Sequence, residues 1–171
     1  MGIVRRDDLE RAVAEDGVLQ AGRRLFESSP FAQRPRWAAG VLGACRDGIQ
    51  EVPGVVLEAE QLALGTPADW SKGHDVFDRL RGTTLVLDKK GHGPGLTPTE
   101  AHLHRVVLVA ELVAKVTYNA ALPVCPFDDD SGWYLLSVAL SLVACVKDPS
   151  LERAVWHALL DTPPAGSNVI Q

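Results

Sequence analysis

The chain has 171 residues, 46% of them hydrophobic and 23% charged, with a formal net charge of −5. That length and apolar share suffice to enclose a core within a single domain. The net acidity argues against general binding to nucleic acid or anionic lipid, since both require a basic surface. Cys45, Cys125 and Cys145 are too widely spaced for a Cys-x-x-Cys zinc or redox motif and read as reduced, core-packed thiols. Met1 to Arg6 lead into acidic residues rather than an apolar run, so no secretory signal is expected and a cytoplasmic setting follows. Arginine outnumbers lysine 12 to 5, the usage of a GC-rich bacterial genome.

In chain order, residues 7–28 read as peripheral helix, with Leu9, Ala12 and Val13 on one face and a break at Asp16-Gly17. The next helical pattern runs from Arg36 to Gln50. Its interior Gly40 and Gly43 each cost about 1 kcal/mol relative to alanine, so a neighbouring backbone is expected to come close there. Val52-Pro53-Gly54 is a turn, followed by a short helix from Val55 to Leu64. Thr66-Pro67-Ala68-Asp69 is a helix start, and the pattern behind it predicts a helix from Pro67 to about Arg81, flagged by its proline at the first turn. Thr83 to Leu87 is rich in β-branched residues, which leaves two readings open, a short extended segment or a continuation of the helix. No second strand is available to pair with it. Asp88 to Leu96, with three glycines and a proline, reads as a surface loop.

Thr97-Pro98-Thr99-Glu100 is a capping box, with a hydroxyl at the N-cap and a glutamate three residues on. The helix it starts runs to about Leu122 and is apolar on most sides, the pattern of an enclosed helix. A second apolar helix begins near Asp128 or Asp129 and ends at Val146, where Lys147-Asp148-Pro149 stops it. Its uncharged run is shorter than the roughly 20 residues that a bilayer span requires. Ser150 reads as the cap of a last helix, Leu151 to about Leu160, and 162–171 as a loose tail. The expected fold is all-α: a single-domain irregular bundle of about six to eight helices around a central antiparallel hairpin at 97–146.

Two groups of residues are candidates for function. Asp128, Asp129 and Asp130 precede Trp133 and Tyr134 at a helix start, where the helix dipole favours carboxylates. An EF-hand counted from Asp128 would need glycine where Trp133 stands and glutamate where Ala139 stands, so calcium by that motif is excluded. Acids around an aromatic anchor suit a basic protein partner. The second group lies on the 97–122 helix. Glu111, Lys115 and Asn119 share a face with His104 above them, and with Tyr118 they form either a solvated stripe or one wall of a ligand cleft. No zinc-hydrolase histidine pattern, phosphate-binding loop or nucleophile elbow occurs, and no cofactor or metal is expected. These readings favour a non-catalytic interaction protein of the immunity or inhibitor type, with self-association allowed. The alternative is a small-ligand binder or enzyme using the His104–Asn119 wall.

Overall fold

The computed structural model describes Arg11, Arg23 and residues 31–122 and 129–161; at residues 31, 129–135, 156 and 159–161 the backbone alone is described. The predicted N-terminal helices apart from those two arginines, the connection 123–128 and the predicted tail 162–171 lie outside this set. The described residues are all-helical, with six α-helices and two 3-10 turns. A 3-10 turn at Phe31–Gln33 leads into α1 (Arg34–Arg46), and α2 (Gly54–Leu64) follows. A second 3-10 turn (Pro67–Lys72) precedes α3 (Gly73–His92), and α4 (Pro98–Ala121), α5 (Asp129–Val146) and α6 (Pro149–Asp161) complete the order. No described helix is long and apolar enough to cross a membrane.

α4 sits at the centre. Its capping box forms as the sequence predicts: Glu100 N–H donates to Thr97 Oγ1 at 3.2 Å, and Thr97 N–H donates to Glu100 Oε2 at 2.9 Å. Beyond the first turns it is enclosed on several sides, with Val106, Val107, Val109, Ala110, Val113 and Ala114 fully buried. It packs against α3 most extensively, then against α1, α5 and α2. Trp37 and Leu42 of α1, Val56 of α2, Leu80 of α3 and Leu136 of α5 fill the core around it.

α3 and α4 run antiparallel, since rising numbers on one meet falling numbers on the other. Gly73 lies against Ala114 and Tyr118, Thr84 bonds Glu111, Asp88 meets His104 and Lys90 pairs with Glu100. The sequence left 83–87 open between an extended segment and helix, and placed a loop over 88–96. In the structure one helix runs through 83–87 and on to His92, so 83–87 is helical and the loop is confined to 93–97. Val76, Leu80 and Thr84 continue a buried stripe at helical spacing, which outweighs the β-branched local preference. Lys89, Lys90 and His92 then occupy the last turn, where the helix dipole favours cations.

Three further boundaries differ from the sequence reading. The helix expected from Pro67 begins as a 3-10 turn and becomes α-helical only at Gly73. α1 starts at Arg34 and stops at Arg46, with Gly48 at φ 81° making the turn. At α6, Ser150 is not the cap: Asp148 Oδ1 accepts from Ser150 N–H at 2.8 Å and from Ser150 Oγ at 2.6 Å. Those two donors hold the Asp148 carboxyl below its ordinary range.

Candidate functional site

The polar wall predicted on α4 divides between solvent and the α3 seam. Glu111 is buried at 8% exposure and accepts a hydrogen bond from Thr84 Oγ1 of α3, which is itself 7% exposed. Lys115, one turn on, is exposed, and Asn119 is buried at the far end. His104 Nε2 lies 2.9 Å from Asp88 Oδ1 across the α3–α4 seam. Tyr118 is half-buried and meets His74 edge to face, with ring centroids 5.2 Å apart. Helix spacing put these groups on one face; the packing of α3 decides which of them solvent reaches.

An open groove of about 940 Å³ lies elsewhere. The α1–α2 connection at Gly48 to Glu51, the first turns of α4 and Cys145 and Val146 of α5 line it. Arg105 supplies its cationic group and His102 an imidazole. His102 Nε2 donates to the Cys45 carbonyl at 3.2 Å. Arg105 Nη1 donates to Ala101 O within its own helix. Of the five wall residues His104, Glu111, Lys115, Tyr118 and Asn119, none lines this groove. Cys145 presents an exposed thiol at its edge, whereas burial pushes the Cys45 thiol up to about 12 and keeps it protonated.

The acidic corner is described in part. Asp129 and Asp130 form the first turn of α5, and Trp133 and Tyr134 follow in its second. Asp128 and all five of these side chains lie outside the description.

One surface escaped the sequence reading. On the outer face of α3, Leu85 is 53% and Val86 67% exposed. Arg81, Gly82 and Lys89 share that face and are also exposed. The signal was present in the sequence, but leaving 83–87 open between the two readings hid the helical register that brings these five together. No protein-family model, curated protein or solved structure matches this chain.

Proposed function

We propose that this chain is a non-catalytic, cytoplasmic protein-interaction module of the immunity or inhibitor type, a single helical domain organised on α4 and its hairpin partner α5. The observation that carries the reading is the position of Glu111. The acid that would serve a cleft is instead buried against the Thr84 hydroxyl, stitching α3 to α4. A carboxylate so held stabilises a helix pair and has no open face to offer a substrate. The proposed contact for a basic partner is the turn of Asp128, Asp129 and Asp130 with Trp133 and Tyr134, where the start of α5 favours the carboxylates and the aromatics supply an anchor.

The test is affinity capture from the source cells with the full chain, comparing wild type with the triple variant Asp128→Asn, Asp129→Asn, Asp130→Asn. A protein held by wild type and lost by the variant supports the reading. Equal retention contradicts the acidic turn as the contact. A second reading, small-ligand binding, is favoured by the groove, whose Arg105 and His102 sit beside apolar Leu103 and Val146.

A further inference from the structure

Two glycines of α3 have opposite surroundings. At Gly73 a Cβ would lie 2.8 Å from Ala114 O and 3.0 Å from Tyr118 N, so only glycine lets α4 come this close. At Gly82 a Cβ would meet nothing within 4 Å, and no positive φ explains the residue. A glycine inside a helix costs about 1 kcal/mol relative to alanine. Among the described residues nothing inside the chain accounts for that cost at Gly82.

Its neighbours supply a reason from outside. Leu85 and Val86 flank the bare position and stand largely in solvent. Arg81 and Lys89 bracket them one turn to either side, and neither meets an acidic side chain among the described residues, unlike Arg79, which holds both Asp75 and Glu58. The face therefore combines a flat spot for close backbone approach, an apolar pair to anchor a partner and cations at both ends.

We infer that the outer face of α3 from Arg81 to Lys89 docks an acidic amphipathic helix of a partner protein, packed across Gly82. This rests on the protein-interaction reading and gives it a second surface, of opposite charge preference to the acidic turn. A second copy of this chain is the wrong occupant: antiparallel pairing about Leu85 would set Arg81 against the copy's Lys89, and like charges repel. Two exposed apolar side chains anchor a transient contact rather than a permanent one.

The test uses the full chain and a fluorescein-labelled synthetic helix of about 18 residues, long enough to cross the face, with a leucine–alanine stripe flanked by glutamates. Anisotropy should show binding, weakened at least about tenfold by Arg81→Glu with Lys89→Glu. Leu85→Asp and Gly82→Phe should each abolish it, with unchanged far-ultraviolet dichroism showing that these surface variants fold. The triple asparagine variant of the acidic turn should bind the helix as wild type does. No binding by wild type, equal binding by the charge-reversed variant, or equal binding of a lysine-flanked control helix would overturn the proposal. So would binding to vesicles of equal parts phosphatidylcholine and phosphatidylglycerol, or a Leu85-dependent dimer in sedimentation. If the helix fails while a captured partner still depends on Asp128 to Asp130, the interaction reading stands and the α3 face falls.

Discussion

The two halves of α3 present the same outer face to solvent and treat it differently. Up to Arg79 the polar side chains are answered: His74 lies 3.3 Å from Asp78, and Arg79 bridges Asp75 of its own helix to Glu58 of α2. From Arg81 onward, Arg81 and Lys89 have no such answer among the described residues, and Leu85 and Val86 replace the carboxylates. The glycines repeat the contrast: Gly73, on the inner face, touches the α4 backbone, while Gly82, on the outer face, touches nothing among the described residues. One helix thus shows what a residue looks like when its reason lies inside the molecule and when it does not.

The largest expected effect lies at the close contact. Gly73→Ala should cost about 1–3 kcal/mol, because the new Cβ meets backbone on α4 that cannot rotate away. Urea denaturation measures it, and a midpoint equal to wild type would break the distinction between the glycines. Next in size is the buried pair. Glu111→Ala should cost about 1–3 kcal/mol by leaving the Thr84 hydroxyl buried without an acceptor, and adding Thr84→Val should recover most of the loss. Equal losses in the single and double variants would mean that the pair is not what joins α3 to α4 here.

The cap comes third, at about 1 kcal/mol for Thr97→Ala. Its partner Glu100 also sets a pH dependence. Lys90 first, then the Thr97 amide, lower the Glu100 carboxyl from 4.5 to about 2. A carboxyl lowered by folding contributes stability above its unfolded value and loses it as pH falls toward its folded value. Glu100→Gln should therefore flatten the stability profile between pH 4.5 and about 2 and leave its shape above that window unchanged.

What the sequence made legible follows the strength of local signals. Thr97 to Glu100 announced α4 because a capping box is a local code, and the formed box matches it bond for bond. The all-helical class was legible from apolar spacing. The end of α3 was not, since Gly91 and the lysines at 89–90 resemble a loop until the dipole at the helix end is counted. The turn proper waits for Gly93, and Gly95 takes φ 88°. Gly43 was expected to admit a neighbouring backbone, but its neighbour is the Glu60 carboxylate, 3.0 Å from where a Cβ would sit and bonded to Arg46. The backbone approach is at Gly73 instead, at the first residue of its helix. Helix spacing alone placed Glu111 beside Lys115, and nothing local showed that α3 would supply Thr84 in its stead.

The central claim is that the outer face of α3 from Arg81 to Lys89 has no partner among the described residues, and calorimetric unfolding of Gly82→Ala tests it most directly. A methyl entering open space should raise stability by up to about 1 kcal/mol, a rise of roughly 2–4 °C in Tm for a chain of this size. A lower Tm would show that the position is already occupied from inside the molecule, and the contrast between the two glycines would be lost.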